Sequence, residues 1–160
     1  QQGLRLQKGL TGSHSQKVLI MKHLMIDTNV ALDVLANRKP FAEEAAQLFQ
    51  HAAKGRVKLY ISSLSYTTLF YVLRKDNRPE VVLSSLRNME GLCETVDVTS
   101  EVIQAALRIR SGDLEDAVQI QAAIHHKKVT AIVTRDAKGF RRSSLPAFNY
   151  REALAMVGGE

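Results

Sequence analysis

The sequence predicts an α/β fold in which a parallel sheet is covered by helices on both faces. Strand-like and helix-like segments alternate along the chain, which is the pattern of parallel strands joined by helical crossovers. The strand-like segments are apolar throughout rather than at every second residue, as is typical of strands buried on both faces. The composition agrees, because 45% hydrophobic and 24% charged residues over 160 positions are usual for one globular domain.

The predicted strands are short runs of aliphatic, aromatic and β-branched residues. Four of them are KHLMI at 22–26, VKLYISS at 57–63, CETVDV at 93–98 and VTAIVT at 129–134. LPAF at 145–148 is a weaker candidate for a fifth, short strand. The single cysteine, Cys93, lies in one of these runs and has no partner for an internal disulfide, so a reducing cytoplasm is the expected compartment.

The segments between the strands carry helical spacing of apolar residues and recognisable end signals. Pro40 and Gly55 bound one helix, and Asn149 with Glu152 three residues later has the pattern of a capping box. The predicted helices cover 30–36, 40–55, 64–75, 79–89, 101–110 and 114–126, with a last helix after Asn149.

Residues 1–20 are rich in Gln, Gly and Ser without a sustained period, so we interpret them as a flexible leader or upstream extension before a domain at 21–160. The net charge is +6, but the leader contributes three basic residues and no acidic one, so the remainder carries only +3. That mild charge is compatible with a phosphate-rich partner and equally with an ordinary surface. No apolar run approaches the roughly 18 to 20 residues that span a bilayer, so no membrane partner is expected.

Three aspartates are expected at one edge of the sheet. Asp27 follows the first strand, Asp136 follows the strand at 129–134, and Asp116 lies in the first turn of a helix. Each has an ordinary structural interpretation, as a helix cap, a residue favoured by the helix dipole or the start of a turn. Together they are better explained by a bound hard cation, because converging carboxylates repel one another.

The chemistry of that cation follows from its ligands. Oxygen donors without a cysteine or histidine cluster favour Mg²⁺ or Mn²⁺ over Zn²⁺. Such an ion suits phosphodiester hydrolysis, since it activates water, orients the phosphate and neutralises developing charge.

Four segments carry a resemblance to a known family: LMIDTNVALDVL, LYISSLSYTTLFYVLRK, GDLEDAVQIQAA and AIVTRDAKGF. In this order they resemble the successive motifs of PIN-domain proteins, and most of all the VapC-like toxin ribonucleases of type II toxin–antitoxin systems. The resemblance implies a three-layer α/β/α PIN-like domain with a central parallel sheet. It also implies a Mg²⁺- or Mn²⁺-dependent endoribonuclease acting on single-stranded RNA, a small cognate antitoxin as partner and a homodimer.

The resemblance also assigns roles to individual residues. Asp27, Asp116 and Asp136 match the catalytic and metal-binding acids. Polar positions that support these carboxylates are matched by Thr28, Asn29 and Thr134.

The sequence departs from the family at one acidic position. The second acid of the family is a glutamate in the helix after the second strand, and Thr68 occupies that place here. We expect Asp113 to supply the missing metal ligand, with N-capping of the helix as an equally strong interpretation. For Glu115 the sequence predicts a solvated charge in the first helical turn. Alternatively, activity is lost and the chain is a catalytically silent RNA-binding or antitoxin-binding module.

Basic residues surround Asp136 and are candidates for contact with nucleic-acid phosphates. They are Arg135, Lys138, Arg141 and Arg142. A phosphoacceptor receiver domain shares the alternating pattern but requires an acidic pair after the first strand, where this chain has a single acid, Asp27.

Overall fold

A computed structural model describes residues 20–140 and 143–158. The leader expected at 1–20 lies almost wholly outside the described residues. The strands are β1 (Lys22–Ile26), β2 (Val57–Ser62), β3 (Cys93–Val96), β4 (Ala131–Val133) and β5 (Ala147–Phe148). The helices are α1 (Thr28–Leu35), α2 (Ala42–Ala53), α3 (Ser63–Leu73), α4 (Pro79–Leu92), α5 (Ser100–Arg108), α6 (Leu114–His126) and α7 (Tyr150–Gly158).

The strands form one parallel sheet in the order β3-β2-β1-β4-β5. The chain therefore runs outward from β1 through β2 to β3 and then returns to place β4 on the other side of β1. In an open parallel sheet this change of direction creates a crevice at the carboxyl ends of the two neighbouring strands, where ligands bind. The parallel α/β fold expected from the sequence is confirmed.

Two hydrophobic clusters occupy the two faces of the sheet. Alternate residues of β1 serve both, since Leu24 and Ile26 belong to one cluster and Met25 belongs to the other. The first cluster packs against α1, α2, α3, α4 and α7, and the second packs against α5 and α6. The result is the three-layer α/β/α arrangement.

The end signals predicted at Gly55 and at Asn149 with Glu152 are confirmed, and α5 also has a side-chain cap. Gly55 ends α2 with a φ of +70°, and Thr99 caps α5 by accepting a hydrogen bond from the Val102 amide at 3.3 Å. Before α7 the capping box is closed in both directions between Asn149 and Glu152. Some helix boundaries differ from the prediction: α1 begins at Thr28 and not at Val30, directly after Asp27, and α4 continues to Leu92 and not only to Met89.

An ion pair between the buried Asp33 and the partly exposed Arg135 connects α1, α7 and the segment after β4. Asp33 in α1 is fully buried and accepts hydrogen bonds through Oδ2 from Arg135 Nε at 2.9 Å and from the Tyr150 hydroxyl at 2.7 Å. Its Oδ1 has no hydrogen-bond partner among the described residues. The Arg135 guanidinium also lies 4.1 Å from the centroid of the Phe41 ring. These contacts fix the backbone of the residue immediately before Asp136.

None of the helices in the described part of the chain has both the length and the apolar character that a bilayer crossing requires. Cys93 is buried in β3, and burial raises the pKa of its thiol to about 12. A thiol in that environment is a poor nucleophile, as expected from its place in a strand.

Replacing Asp33→Asn is expected to lower the free energy of unfolding by about 1 to 3 kcal/mol, because it removes the charge-assisted contacts of the buried carboxylate with Arg135 and Tyr150. Tyr150→Phe removes one hydrogen bond and should cost about 1 kcal/mol. As a control, Glu80→Gln disrupts an exposed 3.9 Å pair with Arg78 and should change stability by less than about 0.5 kcal/mol. Urea denaturation of the three variants measures this, and equal losses for Asp33→Asn and Glu80→Gln would contradict it.

Candidate active site

Asp27 stands at the centre of the crevice, directly after β1. Its amide donates to the Val133 carbonyl at 2.9 Å, so the end of β1 is held against the end of β4. The side chain is buried and makes no capping hydrogen bond to α1. Its two oxygens accept instead from Gln119 Nε2 at 3.1 Å and Thr134 Oγ1 at 2.9 Å. Asp27 therefore occupies the N-cap position of α1, but its carboxylate oxygens bond to Gln119 and Thr134.

The electrostatic balance at Asp27 has two opposing parts. Burial raises the pKa of its carboxyl group above the ordinary value, and the hydrogen bonds from Thr134 and Gln119 oppose that rise. Functional sites commonly contain an ionisable group whose pKa is shifted by burial in a crevice and by specific hydrogen-bond partners.

Gln119 is a site residue that the sequence analysis missed. It lies one helical turn after Asp116 in α6, and it is buried. Its amide nitrogen donates to Asp27, and its Oε1 accepts from the Thr28 amide at 3.2 Å. One side chain therefore fixes both the carboxylate and the start of α1. The only signal in the sequence is the spacing of three residues from Asp116, which places Gln119 on the same helical face.

Asp116 reaches the crevice from the first turn of α6. The pKa of its carboxyl group is raised to about 7, first by burial and then by the negative charges of Asp113, Asp27, Asp136 and Glu115. The structure thus brings the three predicted catalytic aspartates into one electrostatically coupled group. The raised pKa measures the cost of ionising Asp116 when no cation is bound.

Asp136 begins the turn after β4 and faces Asp116. Its Oδ1 accepts from the amides of Lys138 at 3.2 Å and Gly139 at 3.3 Å, and its own amide donates to Thr134 Oγ1 at 3.1 Å. A Cβ added at Gly139 would lie 2.8 Å from Asp116 Oδ2 and 3.4 Å from Asp136 Oδ2. The glycine therefore leaves the room in which the two carboxylates approach each other.

Asp113 and Glu115 occupy different environments at the start of α6. Asp113 is the N-cap, and its Oδ1 accepts from the Asp116 amide at 3.1 Å. Glu115 is exposed, as expected for a solvated charge, and its Oε1 also accepts from Thr28 Oγ1 at 2.8 Å. Since the Thr28 hydroxyl has a single proton, Ser65 Oγ at 2.8 Å donates to Thr28 in the same chain of hydrogen bonds.

Thr68, which stands where the family has its second acid, is half-buried on α3. It lines a pocket of about 310 Å³ together with Ser65 and Glu115. Glu115 therefore presents a carboxylate to the neighbourhood that Thr68 leaves uncharged.

Those of the remaining predicted residues that the structure describes differ in their exposure and in their contacts. Asn29 is exposed and its Oδ1 accepts from Arg38 Nη1 at 3.4 Å. Arg135 is held by Asp33, whereas Lys138 is exposed on the turn of Asp136. Arg141 and Arg142 lie outside the described residues. The roles assigned to these side chains stay predictions.

The donor set suits a hard cation in its chemistry, because it consists of carboxylate and hydroxyl oxygens. The space left by Gly139 and the repulsion that raises the pKa of Asp116 fit the same interpretation. Within 20–140 and 143–158, however, no three His, Cys, Asp or Glu side chains are grouped closely enough to hold one ion as they are placed. The acids converge without forming a completed ligand cage.

Comparison with known proteins identifies the family and the fold of the chain. A family model described as PIN domain matches residues 23–138, which is most of the chain. The chain belongs to the PIN-domain family. All three predicted aspartates lie within the matched residues of this PIN domain.

Solved structures with a similar fold include chains from three VapBC complexes. VapBC2 from Rickettsia felis bound to a DNA fragment from their promoter matches with a TM-score of 0.59 and 19% identity over 79% of this chain and 98% of that chain. DNA-bound VapBC from Salmonella typhimurium gives a TM-score of 0.63 and 21% identity over 82% and 99% of the respective chains. VapBC-1 from nontypeable Haemophilus influenzae gives a TM-score of 0.61 and 13% identity over 81% of this chain and 98% of that chain. No curated protein matches the chain.

The raised pKa of Asp116 predicts how the stability of the metal-free PIN domain depends on pH. Because the folded pKa of about 7 lies above the ordinary 3.8, the stabilising effect of the protonated form is complete below about pH 4 and is lost as the pH rises to 7. The free energy of unfolding should fall by about 1 to 2 kcal/mol between pH 5 and 8 through this group, after allowing for solvent screening. Urea denaturation in EDTA measures it.

Asp116→Asn should remove that decline and be more stable than the wild type at pH 8. The control is Asp76→Asn, at an exposed aspartate beyond the end of α3, which should keep the wild-type slope. An Asp116→Asn variant with an unchanged slope would contradict the electrostatic coupling.

Proposed function

We propose that this PIN domain is a metal-dependent endoribonuclease that hydrolyses phosphodiester bonds of single-stranded RNA, and that it is the toxin of a toxin–antitoxin pair. The observation that carries the proposal is the convergence of Asp27, Asp116 and Asp136 at the crevice between β1 and β4. Ionising all three in one place is costly without a cation, as the raised pKa of Asp116 indicates.

The ion would be Mg²⁺ or Mn²⁺, held by Asp27, Asp116 and Asp136. When bound, it supplies an activated water and charge neutralisation for attack on the phosphodiester. The protein contributes the arrangement of the acids. Gln119 and Thr134 orient the Asp27 carboxylate, and the turn amides at Lys138 and Gly139 orient that of Asp136.

The fourth carboxylate is better supplied by Glu115 than by Asp113. Asp113 Oδ1 is engaged as the N-cap of α6, and its metal role depends on the spacing of three residues from Asp116. Glu115 is hydrogen-bonded to Thr28, the residue after Asp27, and shares a pocket with Thr68. It therefore takes over the region of the acid that Thr68 replaces.

The partner proposed for this toxin is a small cognate antitoxin protein. The similar folds come from VapBC complexes, two of them bound to DNA. This chain also exposes Leu64 of α3 and Leu114 of α6, by 43% and 53%, beside the pocket that contains Thr68. Exposed apolar side chains of this size beside a pocket are typical of protein-binding surfaces. Homodimerisation and a cytoplasmic location belong to the same proposal.

A catalytically silent RNA-binding or antitoxin-binding module is the second candidate. It is favoured by Thr68 at the place of an acid and by the lack of a three-acid group among the described residues. Metal affinity separates the two candidates, because a silent module has no need of the ion.

The first experiment is Mn²⁺ titration by calorimetry, with cleavage of a single-stranded RNA pool in the same buffer. We expect the wild type to bind Mn²⁺ and to cut RNA, and Asp27→Asn to lose at least about tenfold in affinity and nearly all cleavage. Asp97→Asn, at an exposed position after β3, should behave as wild type. If the wild type binds RNA but neither binds Mn²⁺ nor cleaves RNA, the result would favour the silent module.

The roles of Glu115 and Asp113 are separated by a matched pair of amide substitutions. Asp113→Asn keeps an N-cap side chain of similar strength and removes only the charge, so Mn²⁺ affinity should fall by less than about threefold. Glu115→Gln should lower it by about tenfold or more, because a ligand is lost. Calorimetry at pH 7.5 gives both values, and the reverse order would return the ligand role to Asp113.

A further inference from the structure

A second pocket adjoins the acids on the side of α5 and the loop that precedes α6. Its volume is about 320 Å³, within the range of small-molecule sites. Its apolar part includes Ile109, Ile120 and Ile124, and two cationic residues, Arg110 and Lys138, also line it. Neither the catalytic residues described above nor the pocket containing Thr68 includes any of these side chains.

Gly139 connects this pocket to the proposed active site. It lines the pocket, and a side chain at this position would meet Asp116 Oδ2 and Asp136 Oδ2. Ala117, which directly follows Asp116 in α6, lines the same pocket. The pocket and the two carboxylates therefore share Gly139 as a neighbour, and the pocket also contacts α6 at the residue after Asp116.

The chemistry of the lining fits one nucleotide. Aliphatic side chains offer a surface on which the face of a base can lie, and Gln121 adds an amide group to the lining. Arg110 and Lys138 supply positive charge where the adjoining acids would repel a phosphate backbone. The lining therefore combines an apolar surface with positive charge, and a nucleotide offers a matching group to each.

We propose that this pocket is the subsite for one unpaired base of the RNA strand, beside the phosphate that is cleaved. The inference rests on the proposed nuclease function and adds to it the element that selects single strands. A base held in a Watson–Crick pair cannot enter a pocket of this kind, whereas an unstacked base can.

Gly112 allows the pocket to be blocked without straining the fold. It lines the pocket, its φ is outside the left-handed region, and a Cβ added there meets no atom within 4 Å. Gly112→Leu therefore adds bulk at the pocket, and Gly91→Leu is the matched control, since Gly91 in α4 has equally open surroundings and does not line the pocket.

The test is fluorescence anisotropy of a labelled 12-nucleotide single-stranded RNA, in Ca²⁺ to suppress cleavage, together with copies that carry one abasic position each. For the wild type, removing one particular base should weaken binding by about tenfold, and the others should matter less. Gly112→Leu should bind the intact RNA about tenfold more weakly and should no longer respond to that abasic position. Gly91→Leu should behave as wild type.

A second variant tests the cationic part of the pocket. Lys138→Ala should weaken binding of all the oligonucleotides and reduce the dependence of log Kd on log salt by about one unit. Lys128→Ala, at an exposed lysine near the other end of α6, is its control. Thermal melting of each variant verifies folding before binding is compared.

The outcomes distinguish the subsite from the function on which it rests. If the wild type binds RNA and Gly112→Leu binds it equally well with the same abasic response, the subsite is overturned and the nuclease proposal stands. If the wild type itself does not bind single-stranded RNA, both are overturned. If Gly112→Leu impairs binding of a partner protein but not of RNA, the pocket belongs to a protein interface and the base subsite is overturned.

Discussion

The parallel pairing of β1 with β4 places the carboxyl ends of two strands side by side at the point where the chain changes direction across the sheet. Asp27 and Thr134 leave these strands at adjacent positions, and the hydrogen bond between their side chains is a direct result. Asp136 follows two residues later, and α6 crosses above with Asp116 and Gln119. The acids therefore meet because of backbone topology, which leaves little freedom to relieve their repulsion.

Hydrogen bonding keeps this repulsion from disordering the site. Both oxygens of Asp27 accept from neutral donors that are buried, so the carboxylate has one orientation. Asp136 is restrained by backbone amides of its own turn. Among the described residues, Asp116 has no comparable set of hydrogen-bond donors, and burial together with the neighbouring carboxylates raises its pKa to about 7. Hydrogen-bond donors therefore order Asp27 and Asp136, whereas the carboxylates around Asp116 raise the free-energy cost of ionising it.

The sequence predicts the architecture and the principal acids because both depend on local patterns. Apolar runs identify the buried strands, and an aspartate at the end of such a run is at the sheet edge whatever the details of packing. Gln119, Asp33 and Glu115 are different, since their roles depend on contacts with residues far along the chain, at Asp27, Arg135 and Thr28. Spacing within one helix could not distinguish Asp113 as a cap from Glu115 as the side chain that turns toward Thr28.

The ion pair of Asp33 with Arg135 makes α7 part of the scaffold of the candidate active site. Tyr150, the first residue of α7, donates to the same carboxylate oxygen that holds the residue before Asp136. Arg135 directly precedes Asp136, a proposed metal ligand. The backbone at this point is thus anchored through one buried oxygen, Asp33 Oδ2, to α7, which lies beyond the residues that the family model matches. Trimming or replacing α7 would remove a support of the candidate site, so the structural unit that holds the three aspartates in place extends past residue 138, where the family match ends.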